Sequence, residues 1–239
     1  MSNASRRLGR LLPEVAGWLI AQDCFLCGSA AGRRVICDAC RAELPAHPAA
    51  CCPVCALPGA GEGLCPACRA APPAFDASLA VFYYRFPLDV MLLALKYRHR
   101  LSLAGFFAEA LGARARGRVA AADLIVPMPL HPRRLRERGF NQAAEVARPL
   151  ARACGVPLEL DRLRRVRDTP AQATLARAER LGNLRGAFRC DAELSGLRIV
   201  VVDDVMTTGT SLDAVARCLK ARGAVWVENL VLARTPSPA

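Results

Sequence analysis

The chain has 239 residues, enough for one large domain or two small ones. Hydrophobic residues make up 53% of it, which excludes an intrinsically disordered protein, and aromatic residues only 5%, so the core must rest mainly on Leu, Val and Ala. The formal net charge of +12 favours an anionic partner, such as a phosphate-rich small molecule, a nucleic acid or a membrane surface, and does not choose among them.

The first 22 residues are basic and then amphipathic. Their apolar run is broken by Pro13 and Glu14, and no small-residue cleavage site follows, so a secretion signal is not expected. We predict an amphipathic helix over 1–22 that packs on its own protein, with attachment to a membrane surface as the alternative. Since no segment is long and apolar enough for a transmembrane helix, we predict no stable membrane insertion and a cytoplasmic location.

Cysteines are concentrated near the N-terminus, where two copies of one spacing occur. In each copy, two Cys-x-x-Cys pairs are separated by nine residues. The copies are Cys24, Cys27, Cys37 and Cys40, then Cys52, Cys55, Cys65 and Cys68. Four thiolates at this spacing suit a tetrahedral Zn²⁺, and each copy has too few large apolar residues to fold without a metal. The spacing therefore predicts two structural zinc sites.

A disulfide framework is the alternative to zinc, but it needs an oxidising compartment for which the sequence carries no signal. The ligands can pair sequentially, as the equal spacing favours, or interleave between the copies. Cys51, beside Cys52, is a possible competing ligand. The remaining three cysteines, Cys154, Cys190 and Cys218, are expected to be small buried hydrophobes.

Two prolines, Pro72 and Pro73, close the cysteine region, so we predict a double zinc-ribbon domain over 23–73 and a second domain over 74–239. In the second domain, strands are predicted at 78–84, 123–130, 197–205 and 224–234, and helices at 88–97, 103–115, 141–155 and 211–223. Pro149 should kink the third of these helices. The alternation predicts an α/β fold with a mainly parallel sheet, whose ligands bind beyond the carboxyl ends of the strands.

The segment VVVDDVMTTGTSL (200–212) runs from a predicted buried strand into two carboxylates, Asp203 and Asp204, and then into a hydroxyl-rich turn that opens a helix. The turn consists of Met206, Thr207, Thr208, Gly209, Thr210 and Ser211. The first amides and the dipole of the helix attract a phosphate, and Gly209 lets the backbone approach closely. Two carboxylates beside such a turn suit a sugar phosphate. An ordinary strand-to-helix turn with exposed acids is the alternative.

This segment resembles the signature of the phosphoribosyltransferases, which bind 5-phosphoribosyl pyrophosphate (PRPP). The resemblance implies a type I phosphoribosyltransferase-like fold in which Asp203 and Asp204 hold the ribose hydroxyls and Thr207–Ser211 the 5-phosphate. With IVPMPLHPRRLRERGFNQA (125–143), RDTPAQATLARAERLGNLRGAF (167–188) and the twin cysteine repeats, the chain is similar to the ComF/GntX family. That family is linked to DNA uptake in naturally competent bacteria.

The resemblance also implies which residues meet the pyrophosphate, usually with Mg²⁺ to neutralise its charge. A loop after the first core strand would contain Met128, Pro129, Leu130 and His131, followed by Arg133 and Arg134. The next helix would be opened by Arg138, Gly139, Phe140, Asn141 and Gln142. Lys96, and Arg180 with Gln172 and Asn183 nearby, would reach the same cleft. The predicted catalytic residues are Asp203, Asp204, Arg180 and Lys96. His131 is a candidate base, although a structural histidine is the alternative.

Two functions fit these motifs and the family resemblance. The first is a PRPP-binding protein of DNA uptake, with single-stranded DNA or DNA-uptake proteins as partners and Phe140 as a side chain that could stack a base. The second is an active phosphoribosyltransferase of nucleobase or amine metabolism without a DNA role. Its reaction would be displacement at the anomeric carbon of PRPP by an acceptor nitrogen.

Overall fold

The computed structural model describes residues 22–59, 63–168, 184 and 186–236. The chain divides into two compact units, Met1–Leu44 and Pro45–Ala239. The first cysteine repeat belongs to the first unit, and the second repeat shares the second unit with the sheet. Whether residues 23–73 form a domain of their own stays a prediction. The predicted helix over 1–22 lies outside the described residues except for Gln22.

Helices and strands alternate through the second unit, as the sequence predicts. The described helices are α1 (Asp38–Ala42), α2 (Pro66–Ala70), α3 (Leu88–Tyr97), α4 (Ser102–Ala120), α5 (Pro132–Arg138), α6 (Gln142–Cys154) and α7 (Thr210–Lys220). The described strands are β1 (Ala77–Tyr83), β2 (Leu124–Pro127), β3 (Leu163–Arg165), β4 (Phe188–Cys190), β5 (Arg198–Met206) and β6 (Trp226–Arg234). Among the described residues, no helix has the length and apolar character that crossing a membrane requires.

Four strands form one parallel sheet in the order β1-β6-β5-β2, which confirms the predicted α/β architecture. Strand β5 therefore lies inside the sheet, between β6 and β2. Its residues Ile199–Val202 are almost completely buried, as expected for a run of β-branched residues with neighbours on both sides. The carboxyl ends of the parallel strands meet at one edge, and this edge receives the acidic pair and the turn that follows it.

The core of this unit is built mainly from Leu, Val and Ala, in line with the composition. The largest fully buried side chains of the helices are Phe107, Leu88, Met91, Leu92, Leu95, Leu103, Leu111 and Leu150. Of the three later cysteines, Cys190 is buried, whereas Cys154 and Cys218 are only half-buried, so the expectation is wrong for these two. Each lies near the end of a helix, where burial is incomplete.

Three of the described elements that follow the cysteine repeats were not expected from the sequence. Helix α5 is a basic helix of about two turns, PRRLRER, without an apolar stripe that would reveal it. Its ends are nevertheless well marked, because the His131 Nδ1 accepts the Arg133 N–H at 3.3 Å and Gly139 ends the helix with a φ of 82°. Strands β3 and β4 form a separate antiparallel pair of three residues each, too short for a period-2 pattern to show.

The longer helices begin and end close to their predicted bounds. Helix α3 has the predicted residues 88–97, whereas α4 continues to Ala120, beyond the predicted end at residue 115. Pro149 lies inside α6 and does not end it. The start of α6 is fixed by the Asn141 Oδ1, which accepts the Ala143 N–H at 3.0 Å, and its end by Gly155 in the left-handed conformation.

Candidate functional site

The acidic pair Asp203–Asp204 lies at the end of β5 and is buried, with 9% and 7% of each residue exposed. The burial removes the alternative of an ordinary turn with exposed acids. Backbone amides partly compensate the two carboxylates, since the Asp204 N–H donates to Asp203 Oδ1 and the Val205 N–H donates to Asp204 Oδ1, both at 2.8 Å. Burial, and then the adjacent Asp204 carboxylate, raise the pKa of Asp203 well above its ordinary value.

The Asp204 carboxylate is the centre of a polar cluster contributed by three helices, α3, α5 and α6. The Lys96 ammonium, on the last turn of α3, forms an ion pair with Asp204 Oδ2. The same oxygen accepts a hydrogen bond from Gln142 Nε2 at 3.3 Å. Arg138 donates to Gln142 Oε1 and stacks over the Tyr97 ring at 5.0 Å from its centroid. The structure therefore brings together Lys96, Arg138 and Gln142, three of the predicted site residues, at one carboxylate.

The charge state of Lys96 follows from this contact. Burial alone would lower the pKa of Lys96, but the attraction and hydrogen bond of Asp204 outweigh burial and raise it. The Lys96 ammonium stays charged beside the acidic pair, and it supplies positive charge of the kind that binds a polyphosphate. The cluster is thus chemically suited to a ligand that carries both hydroxyl groups and phosphates.

The predicted phosphate turn follows directly, and Gly209 is the residue that shapes it. Gly209 has a φ of 78° and caps α7, with the Asp213 N–H donating to its carbonyl at 2.9 Å. A Cβ at this position would lie 2.7 Å from Met206 Cε, so that any larger residue meets both strain and a clash. Thr207 and Thr208 are exposed, and the Thr208 and Thr210 hydroxyls lie 2.7 Å apart. The turn therefore presents hydroxyl groups at a helix N-terminus.

The loop after β2 is attached to the same edge of the sheet. The Met128 N–H donates to the Val202 carbonyl at 2.8 Å, and Asn141 Nδ2 donates to the Met128 carbonyl at 3.0 Å. Pro129 is buried and Leu130 is half-buried. Asn141 thus has two structural roles, as the cap of α6 and as a clamp on this loop, besides any contact with a ligand.

Asp168 is a residue that the sequence analysis did not single out, although it lies in the quoted segment 167–188. Its carboxylate lies 4.0 Å from His131 Nδ1, 3.7 Å from Arg133 Nη1 and 3.8 Å from Arg134 Nε. These distances are long and the side chains are partly exposed, so the cluster adds little stability. Since His131 also caps α5, its structural role is the one that the contacts support. Arg180, Gln172 and Asn183 lie outside the described residues.

The eight zinc-ligand candidates form two groups in sequential order. One group is Cys24, Cys27, Cys37 and Cys40, and the other is Cys52, Cys55, Cys65 and Cys68; within each, the sulfur atoms all lie within 4.8 Å of one another. Every cysteine is a free thiol, so the disulfide alternative is not realised. Cys51 belongs to neither group and instead forms a β-bridge with Pro58.

The chemistry of both groups fits a bound zinc ion. Burial would raise the pKa of Cys24, but three backbone amides, first that of Cys37, lower it to about 6. The same balance lowers the pKa of Cys52 to about 7, with the Cys65 amide contributing first. The hydrogen bond with Cys27 raises the pKa of Cys40 to about 12, because thiols this close cannot all ionise without a cation. A divalent metal removes that conflict.

A buried arginine, Arg234, connects the second cysteine group to the phosphate turn. It ends β6, opposite Met206 on β5, and only 6% of it is exposed. Its Nε donates to the Cys55 carbonyl at 3.0 Å and its Nη1 to the Met206 carbonyl at 3.1 Å. The available signal in the sequence was a charged residue at the end of an otherwise apolar final strand.

Two known domain families match the chain, the Phosphoribosyl transferase domain over residues 136–239 and the Double zinc ribbon domain over residues 15–69. Together with the parallel sheet and the two four-cysteine groups, they define a phosphoribosyltransferase-like protein that carries a double zinc ribbon. The purine phosphoribosyltransferase from Pyrococcus horikoshii Ot3 superposes with a TM-score of 0.36 and 20% identity, covering 56% of this chain and 75% of that one.

Full-length relatives define the family. The chain is 35% identical to the DNA utilization protein YhgH of Salmonella typhi over 220 residues, 89% of this chain and 96% of that protein. It is 27% identical to Competence protein F of Haemophilus influenzae over 168 residues, 67% of this chain and 73% of that protein. The chain belongs to the ComF family, which confirms the resemblance found in the sequence.

The two four-cysteine groups predict the metal content of the protein. We expect two zinc ions per chain, one for each group, and one ion fewer when Cys27→Ser or Cys55→Ser removes a ligand. Cys51→Ser is the matched control, because Cys51 lies outside both groups, and it should leave the content at two. Elemental analysis of the purified variants measures this. A loss of zinc in Cys51→Ser, with full content in Cys55→Ser, would show that the ligand assignment is wrong.

The buried acidic pair predicts a gain in stability when Asp203 is neutralised. A carboxylate whose pKa is raised by folding destabilises the folded state when ionised, and Asp203→Asn should therefore increase the free energy of unfolding at neutral pH by about 1–2 kcal/mol. The gain should shrink as the pH falls through the raised pKa towards the ordinary value of 3.8. Asp204→Asn, which loses the Lys96 ion pair, should give no such gain. Urea unfolding of both variants across pH tests this, and equal effects would contradict it.

Proposed function

We propose that this protein binds PRPP together with Mg²⁺ and acts in DNA uptake. The observation that carries the proposal is the buried pair Asp203–Asp204 placed directly before a hydroxyl-rich turn at a helix N-terminus. Carboxylates accept hydrogen bonds from ribose hydroxyls, and the turn offers amides and hydroxyls to the 5-phosphate. One continuous segment, Asp203–Ser211, therefore offers groups that can bind both the ribose and the 5-phosphate.

The pyrophosphate of PRPP would lie towards the basic side chains. Lys96 supplies an ammonium and Arg138 a guanidinium, both already held at the acidic pair through Asp204 and Gln142. Because Lys96 is paired with Asp204, binding requires Lys96 to share or release that oxygen. Mg²⁺, when bound, supplies further neutralisation of the pyrophosphate charge. Lys96 is therefore both the counter-ion of the acidic pair and a contact for the ligand.

The names of the relatives support the role in DNA uptake. The matched proteins include a DNA utilization protein and two competence proteins, from Haemophilus influenzae and Bacillus subtilis. The formal charge of +12 suits an anionic polymer as well as PRPP. We propose single-stranded DNA or proteins of DNA uptake as partners, and a cytoplasmic location. Phe140 is a less open stacking surface than the sequence suggested, because it is half-buried and its ring centroid lies 5.4 Å from that of His99.

An active phosphoribosyltransferase is the second candidate. The placement of Lys96 and Arg138 beside the acidic pair favours it, because positive charge there would stabilise pyrophosphate as a leaving group. In that reaction an acceptor nitrogen would form a bond to the anomeric carbon while the bond to the pyrophosphate oxygen breaks. The electron pair of that bond leaves with the pyrophosphate. The two candidates share the binding site and differ in turnover and in the role in DNA uptake.

Calorimetric titration with PRPP and Mg²⁺ tests PRPP binding, which both candidates require. We expect saturable binding to the wild type and a loss of affinity of about tenfold or more in the double variant Asp203→Asn/Asp204→Asn, because charge-assisted hydrogen bonds to the ribose are lost. Asp161→Asn, a neutralised exposed aspartate, is the matched control and should bind as the wild type does. Absence of binding to the wild type, or equal binding to the double variant, would refute the proposal.

Turnover then separates the two candidates. The protein is incubated with PRPP, Mg²⁺ and a small-molecule cell extract, and pyrophosphate release is followed with the double variant as the blank. Release above the blank identifies an enzyme, and the consumed metabolite identifies its acceptor. Binding without release supports a PRPP-binding role in DNA uptake.

A further inference from the structure

The second cysteine group and the phosphate turn are neighbours within one compact unit, Pro45–Ala239. A cavity of about 190 Å³ has Cys55, Cys65 and Cys68 among its lining residues, together with Thr207, Thr208 and Thr210. We propose that the metal site formed by Cys52, Cys55, Cys65 and Cys68 supports the phosphate turn, and that Arg234 is the positioning residue that joins the two. The consequence for PRPP affinity rests on the proposed function, whereas the support of the turn does not.

Arg234 reaches both partners with one guanidinium group. Nε binds the carbonyl of Cys55, a predicted metal ligand, while Nη1 binds the carbonyls of Met206 and Thr207, where the phosphate turn begins. A planar guanidinium has donors in fixed directions, so it fixes the distance between its acceptors in a way that a flexible ammonium does not. Because Arg234 is buried, water cannot readily replace these hydrogen bonds.

The charge of Arg234 also points to the metal site. A buried guanidinium needs a nearby negative charge, and in the part of the chain that the structure describes no carboxylate pairs with Arg234. Arg234 donates to the Cys55 carbonyl and lines the same cavity as Cys55, Cys65 and Cys68. Four thiolates around Zn²⁺ carry a net negative charge, so a loaded site supplies the missing counter-charge. An emptied site with protonated thiols would not.

Two further contacts hold the turn from the segment that leaves the cysteine group. The Ala74 N–H donates to Asp213 Oδ1 at 2.5 Å, in the first turn of α7. The buried ring of Phe75 packs under Gly209, where its Cζ would lie 3.6 Å from an added Cβ. Residues 74 and 75 begin only six residues after the last ligand, Cys68, so their position depends on how the metal site is folded. Residues 74 and 75 therefore link the metal site to the turn and to the start of α7.

The first cysteine group is a natural control for this proposal. It has the same local geometry, since the Cys37 N–H donates to Cys24 Sγ at 3.4 Å just as the Cys65 N–H donates to Cys52 Sγ at 3.4 Å. It belongs, however, to the other compact unit, Met1–Leu44. Removing a ligand from either group is the same chemical change, and only the second group is proposed to act on the turn.

Hydrogen–deuterium exchange on the full-length, zinc-loaded protein without PRPP tests the support directly. In Cys68→Ser, amides in residues 206–213 should exchange about tenfold faster, while those of β2 and β5 up to Val202 are unchanged. Cys40→Ser should lose one zinc ion and leave the turn as it is. Cys68→His, which keeps a ligand set of three cysteines and one histidine, should restore both zinc and protection. Arg234→Lys should keep both zinc ions and still loosen the turn.

Two results would overturn the proposal. One is loss of zinc in Cys68→Ser with unchanged exchange in the turn, and the other is a uniform rise in exchange across the whole sheet. Calorimetry with PRPP is a separate arm of the experiment. If the wild type binds PRPP, Cys68→Ser should weaken binding about tenfold and Cys40→Ser should not. If the wild type does not bind PRPP, the proposed function fails while the exchange data still decide whether the metal site supports the turn.

Discussion

Two adjacent carboxylates buried at the end of an interior strand are the constraint on which the rest of the site depends. Asp203 is desolvated by burial and repelled by the adjacent Asp204 carboxylate, and both effects raise its pKa. The surroundings compensate with backbone amides, with the Lys96 ammonium and with the Gln142 amide, each delivered by a different element. A sequence selected only for stability would not keep this arrangement, since an apolar or amide side chain costs less there. This loss of stability is explained when the two carboxylates bind a ligand with hydroxyl groups.

The turn after this pair must be held in place by other residues, because a hydroxyl-rich loop with a left-handed glycine has little intrinsic rigidity. Gly209 must avoid Met206 and is packed on Phe75, and the carbonyls at the start of the turn are taken up by Arg234. Phe75 belongs to the segment that follows the second four-cysteine group, whereas Arg234 ends β6 and also donates to the Cys55 carbonyl of that group. The second four-cysteine group and the parallel sheet therefore hold the turn together. The two copies of the cysteine repeat have the same spacing but different structural roles.

The sequence was most informative where a local pattern is strong. The helix over 88–97 was predicted with the bounds it has, because its apolar spacing is regular. Lys96 on its last turn, predicted to reach the pyrophosphate cleft, forms an ion pair with Asp204. The cysteine spacing predicted both metal groups and their sequential order. Arg234 and Asp168 were missed because their partners are distant in the chain, and only the tertiary fold brings them together. Helix α5 was missed because a short basic segment has no periodic apolar face to indicate it.

A crystal structure of the protein grown with PRPP and Mg²⁺ tests the central claim, that the acidic pair and the turn form one site for a ribose phosphate. We expect the ribose hydroxyls within hydrogen-bond distance of the Asp203 and Asp204 carboxylates, the 5-phosphate against the amides of Thr207–Ser211, and Lys96 turned from Asp204 towards the pyrophosphate. PRPP bound elsewhere on the chain, or ribose hydroxyls beyond hydrogen-bond distance of both carboxylates at saturating PRPP, would contradict it.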